Sequence, residues 1–152
     1  MIKYYLTKDK DVVTLDQPTD GCWIAMTDPS DVEIAPIAKK YDIDTDILKA
    51  ALDVDERSRI DVDDNYTMIL VNIPTIEHDD DKELYNTIPL AIIVVSGAVI
   101  TVCSEDNPLL HPFARGIVRD FYTNMKSRFV LQILYRTASQ YLQYLRIVDK
   151  KS

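Results

Sequence analysis

Two largely apolar runs, Leu84–Val95 and Val99–Cys103, are separated only by Ser96-Gly97-Ala98. A strand with one wet face alternates apolar and polar residues, so strands apolar along their length need cover on both faces. Such strands belong inside a sheet that carries helices on either side. This narrows the fold class to a layered α+β (α/β/α) arrangement.

The remaining segments supply the other parts. Ile2–Leu6 and Val12–Leu15 read as strands around a polar Lys8-Asp9-Lys10-Asp11 turn, and Cys22–Met26 is a third. The period then changes. Pro29 precedes Ser30, and Glu33 follows three residues later as a capping box. Ile34, Ile37, Ala38 and Tyr41 continue at helical spacing. Asp44 or Thr45 caps a second helix with Ile47, Leu48, Ala51 and Leu52 on one face, ending near Asp53. Ile60–Asp63 is a short strand, Asp64-Asn65 a turn, and Tyr66–Ile73 a buried strand closed by Pro74. The acidic stretch Glu77–Glu83 predicts a hairpin loop. Asn107-Pro108 predicts a helix start with Pro at the first helical position.

The last segment carries a heptad seam. Leu131, Leu134, Ala138, Tyr141, Leu145 and Val148 are spaced 3, 4, 3, 4, 3. It reaches almost to the last residue with no Gly or Pro stop, so the chain is expected to end inside a long helix. The expected architecture is a mixed β-sheet with helices on both faces, residues 1–126, followed by the start of a truncated stalk helix, residues 127–152.

Composition excludes several functions. The 152 residues carry a net charge of −8, and the longest basic runs are the pairs Lys39-Lys40 and Lys150-Lys151. Nucleic acid requires a basic face, so none is expected as a partner. The two cysteines, Cys22 and Cys103, form no C-x-x-C pair and fit reduced, buried thiols in a reducing cytosol. No signal peptide is evident, and Ile88–Val95 is too short to cross a bilayer, which takes ~20 residues.

Two acidic zones are the metal candidates, since hard cations such as magnesium favour carboxylate oxygen. The first is His78-Asp79-Asp80-Asp81, for which a solvated loop is the simpler reading. The second comprises Asp53, Asp55, Glu56, Asp61, Asp63 and Asp64, with Arg57 and Arg59 among them. Where a calcium loop needs a third acid, a Gly and a Glu, this stretch has Arg57, Ser58 and Asp64, which excludes that motif. Internal Asp/Glu–Arg pairing is the simpler reading there. No catalytic constellation emerges: there is no Gly-rich phosphate loop or G-x-S-x-G elbow, and neither cysteine has a histidine close in sequence. His111, before Pro112, reads as a surface or packing residue and Trp23 as core.

A set of short pieces in order resembles the CorA-like divalent metal-ion transporter family. The pieces are Trp23-Ile24, Leu52-Asp53, Glu56-Arg57-Ser58-Arg59-Ile60-Asp61, Asn65-Tyr66, Ile73-Pro74, Pro89 and Ile100-Thr101-Val102. The resemblance covers roughly the whole chain. It implies an α/β/α cytoplasmic domain, a stalk helix, two membrane helices and a homopentamer around a pore. The pore signature Gly-Met-Asn and both spans are absent from this chain, so it is expected to be soluble and not to transport by itself. Ser58 stands where relatives often carry Pro. Lys49 and Ala50 stand where some relatives place acidic regulatory ligands, so no ligand is carried over there.

The reading favoured is therefore not an enzyme but a regulatory domain at the cytoplasmic face of a transporter. Its cargo would be Mg2+ or another divalent cation (cobalt, nickel or zinc). No further cofactor is expected, and contact with the membrane would run only through the absent spans. The alternatives are a stand-alone interaction module that self-associates or docks a partner by its terminal helix, and a metal-assisted hydrolase using the acidic zones.

Overall fold

Seven strands form one sheet in the order β2-β1-β3-β7-β6-β5-β4. In this computed structural model, residues 1–79 and 82–151 are described, with side chains at 1–75, 86–147 and 149–150. The strands are β1 (Ile2–Lys8), β2 (Asp11–Leu15), β3 (Cys22–Thr27), β4 (Arg59–Val62), β5 (Tyr66–Asp79), β6 (Lys82–Val95) and β7 (Ala98–Cys103). The sheet is mixed: β3 and β7 run parallel, from Cys22 beside Ala98 to Thr27 beside Cys103, and every other pairing is antiparallel.

Both faces of the central strands are covered, as their apolar runs require. All six residues of β7 are buried. On one face Ile24, Met26, Leu70, Ile93 and Ile100 pack against α1 (Asp31–Tyr41) and α2 (Thr45–Lys49), the latter continued by a 3-10 turn at Ala50–Leu52. The opposite face carries a second core of Trp23, Leu90, Ile92 and Val99 under α3 (His111–Ala114) and α4 (Lys126–Lys151). The capping box is formed: the Glu33 amide donates to Ser30 Oγ at 3.3 Å, and the Ser30 amide donates to Glu33 Oε1 at 3.0 Å. Asp44 caps α2 by accepting from the Asp46 amide.

Three expectations are corrected. Pro74 does not close β5, and Glu77–Glu83 is not a long loop. The strands run on to Asp79 and from Lys82, with Pro74 opposite Thr87 and Pro89 opposite Asn72. The reason is local to the sheet edge. β4 pairs only as far as Leu70 and β7 only as far as Leu90, so both prolines stand where a single neighbouring strand remains. A residue lacking N–H is tolerated at such an edge. The third correction concerns α3, which begins at His111 rather than at Asn107-Pro108. Asn107 instead closes a turn, its Oδ1 accepting from the Leu109 amide at 2.7 Å. That local bond competes with helix at this position.

Gly97 makes the β6–β7 turn possible. Its φ is +84°, and its carbonyl accepts from the Gly21 amide at 2.7 Å. Gly97→Ala is expected to destabilise the domain by about 1–2 kcal/mol through the left-handed backbone alone. An added Cβ would also sit 2.7 Å from Asp20 Oδ1. The shift of a urea-unfolding midpoint measures this.

Candidate functional site

The helix α4 is 26 residues long and has two apolar sides. The inner side is Phe129, Val130, Ile133 and Thr137, all buried, with Leu134 packed at the margin. Further along, Tyr141 donates its hydroxyl to the Asn72 carbonyl at 2.6 Å and so ties the helix to β5. Lys126 reaches the Val95 carbonyl at 3.0 Å, and the Gln132 amide donates to the Arg119 carbonyl at 3.0 Å. The outer side is a second stripe. Leu131, Tyr135, Leu142 and Leu145 are 65, 75, 57 and 62% exposed, with Ala138 among them also exposed. Their 4, 3, 4, 3 spacing is that of a coiled-coil seam.

The heptad residues expected from the sequence therefore divide between the two sides. Leu134 and Tyr141 lie toward the sheet, while Leu131, Ala138 and Leu145 lie outward. The side chain of Val148 lies outside the described residues. Sequence reading missed Tyr135 and Leu142 on the outer stripe, and Phe129, Val130 and Ile133 on the inner one. The signal was present, since positions 131, 135, 138, 142 and 145 keep a heptad spacing as regular as the one chosen. The break drawn between residues 126 and 127 falls at the start of α4, whose first turns contribute Phe129, Val130 and Ile133 to the second core.

The acidic zone after α2 is held by its own basic residue. Arg59 pairs through Nη1 with Glu56 and through Nε with Asp61 Oδ2 at 3.0 Å. Asp53 Oδ1 accepts from the Asp55 amide at 3.0 Å, and Asp63 Oδ1 from the Asp64 amide at 2.7 Å. These carboxylates are thus engaged in backbone turns and ion pairs. Among the described residues, no group of three or more His, Cys, Asp or Glu side chains converges as a metal-ligand set. His78 and Asp79 end β5, while Asp80, Asp81 and the side chains of the whole His78–Asp81 run lie outside the described residues. On α2, Lys49 pairs with Asp31 at 2.9 Å, which raises the lysine pKa through that hydrogen bond and charge.

The cysteines are buried and free. Burial pushes the Cys103 thiol up to about 11 and also raises Cys22. Neutral thiols of this kind are poor nucleophiles and poor ligands. His111 sits on α3 with its Nε2 2.8 Å from Asp106 Oδ1. Among the described residues, no helix is long and apolar enough to cross a membrane.

In the curated set, the cobalt/magnesium transport protein CorA of Methanocaldococcus jannaschii is 29% identical over 83 residues, covering 55% of this chain and 25% of that protein. The solved soluble domain of CorA from the same organism superposes with a TM-score of 0.79 at 22% identity, covering 99% of this chain and 61% of that one. The complete CorA magnesium transporter from that organism gives 0.76 at 18% identity, and this chain spans 48% of it. The cytoplasmic domain of ZntB from Vibrio parahaemolyticus gives 0.70 at 12% identity, with 97% and 62% of the two chains covered. At these identities the structural likeness establishes the fold. The family model described as CorA-like Mg2+ transporter protein matches residues 19–152, and by that match this chain belongs to the CorA-like Mg2+ transporter family.

Proposed function

We propose that this chain is the cytoplasmic regulatory domain of a CorA-type divalent-cation transporter. It would bias a pore between two states by movements passed along α4. The observation that carries this reading is the double-sided helix. Its inner residues Phe129 and Ile133 are fixed in the domain core, while its outer stripe leaves the domain apolar and uncovered. A helix gripped on one side and free on the other suits the transfer of motion to a neighbouring subunit or a following segment. The cargo would be magnesium or a related divalent cation, and the working assembly a pentamer at the cytoplasmic face of the membrane. In this reading the domain catalyses no reaction.

The same outer stripe also supports a second reading, a stand-alone module that self-associates or docks a partner helix. The native gene discriminates the two. The transporter reading expects the reading frame to continue past Ser152 into two apolar segments of ~20 residues each. A stop codon directly after Ser152 would overturn it in favour of the module.

A further inference from the structure

Two surfaces with exposed apolar side chains remain on the single chain, and they carry opposite charge. The first is a groove of about 730 Å3 between α4 and the segment that carries α3. Its apolar lining includes Pro112, Val118, Leu131 and Tyr135, the last two being exposed members of the outer stripe. Arg119, Arg128 and Arg136 also line it, and no Asp or Glu stands among the described lining residues. Arg119 and Arg128 approach Asp120 at 3.8 and 3.6 Å, and Arg136 lies over the Phe113 ring at 5.6 Å. One carboxylate thus stands near three guanidinium groups. The helix itself is basic: α4 carries six Lys or Arg and one Asp, whereas residues 1–125 carry 11 Lys or Arg and 24 Asp or Glu.

The second surface is β4, the outermost strand of the sheet, with the turn before it. Val54, Ile60 and Val62 are 73, 66 and 75% exposed there. Ile60 and Val62 are two apart in the strand and so share one face. Around them stand the six acids of the Asp53–Asp64 zone against two arginines, Arg57 and Arg59. Exposed aliphatic side chains among carboxylates are the chemical complement of an apolar groove edged by guanidinium groups. Both surfaces are exposed on the same chain, so neither covers the other within it. Symmetric pairing works against each of them. Groove on groove opposes arginines, and β4 on β4 opposes carboxylates. A concave groove also does not match a flat lipid surface.

We infer that the groove beside α4 receives the acidic β4 edge of a second copy of this chain. Val54, Ile60 and Val62 supply the apolar contact, and carboxylates such as Asp55 and Asp64 meet Arg119 and Arg128. The contact is head to tail, since each copy offers one surface and receives the other. It goes beyond the transporter reading, because described residues of the domain make it and no membrane segment takes part.

Sedimentation velocity of the chain tests the contact. The average mass of the parent is expected to rise above that of one chain as the concentration is raised into the millimolar range. Two double variants reverse the charge of one surface each and alter only exposed side chains: Arg119→Glu/Arg128→Glu in the groove and Asp55→Lys/Asp64→Lys beside β4. Each alone is expected to associate about tenfold more weakly or worse, since like charges then face each other. Mixed one to one they are expected to associate again, because the intact acidic edge of one meets the intact groove of the other. Should either variant fail to fold, Tyr135→Ser and Ile60→Ser, at positions 75 and 66% exposed, are each expected to weaken association in its place. A parent that stays monomeric throughout overturns the inference and leaves the groove to a different partner. Association of the Asp55→Lys/Asp64→Lys variant at the parent's strength overturns it in favour of α4 pairing with α4. A mixture that stays monomeric overturns it as well, and each of these failures leaves the transporter reading standing.

Discussion

Trp23→Ala is expected to cost about 3–5 kcal/mol, the range for emptying a large aromatic site in a core. That is comparable with the whole stability of a small domain. Trp23 is 1% exposed and is the hub of the aromatic core. Tyr5 stacks on it, and Phe129, Phe121 and Phe113 meet it edge-on at 5.2, 6.1 and 6.5 Å between ring centroids. Its indole N–H donates to Thr101 Oγ1 at 2.9 Å inside the protein. Truncation therefore opens a void and removes the partner of a buried hydroxyl at once. Far-UV circular dichroism in a urea titration is the appropriate measurement, because the substitution removes the only tryptophan. Thr101→Val separates the two contributions. It keeps the volume and orphans the indole N–H, with an expected cost of about 1–3 kcal/mol. A loss below about 1 kcal/mol for Trp23→Ala would mean that the aromatic hub does not hold the α3–α4 layer to the sheet.

Ile133→Asp is expected to be more damaging still, at more than about 5 kcal/mol. It deletes a buried aliphatic side chain and leaves an unpaired carboxylate in an apolar site. Ile133 is fully buried between α4 and the sheet. Leu142→Asp, nine positions on in the same helix, is expected to change stability by no more than about 0.5 kcal/mol in the isolated chain, because Leu142 is 57% exposed. The contrast matters more than either value. If both variants unfold the domain, the outer stripe is already covered within one chain. Tolerance of both would mean that α4 is not anchored by its inner face. Thermal and urea unfolding of the two variants side by side make the comparison.

The same helix shows what the sequence reveals and what it conceals. Its existence and length follow from unbroken apolar periodicity without Gly or Pro. Which apolar residues face the sheet does not follow, because Leu134 and Tyr135, like Tyr141 and Leu142, are adjacent pairs of similar character. One member of each pair faces in and one faces out, and only the packing partner decides which. Elements specified by local chemistry were legible: the Ser30–Glu33 box, the Asp44 cap and the turn at Asp64-Asn65. Pro74 misled because a proline's effect in a strand depends on how many neighbours that strand has, a tertiary property. Asn107 misled for a related reason, its side chain closing a turn where the Asn-Pro pair reads as a helix start.

Magnesium flux through the product of the native gene, reconstituted in vesicles, tests the regulatory account most directly. The comparison is between the parent and Leu142→Glu/Leu145→Glu, which places two charges on the outer stripe of α4 without touching its inner face. Burying two leucines is worth about 1.5–3 kcal/mol each, so losing that contact should alter a two-state balance by about tenfold or more. The variant is expected to fold and insert, with its flux rate changed by about tenfold or more relative to the parent. A variant that folds, inserts and carries magnesium at the parent's rate would contradict the regulatory role of the outer stripe.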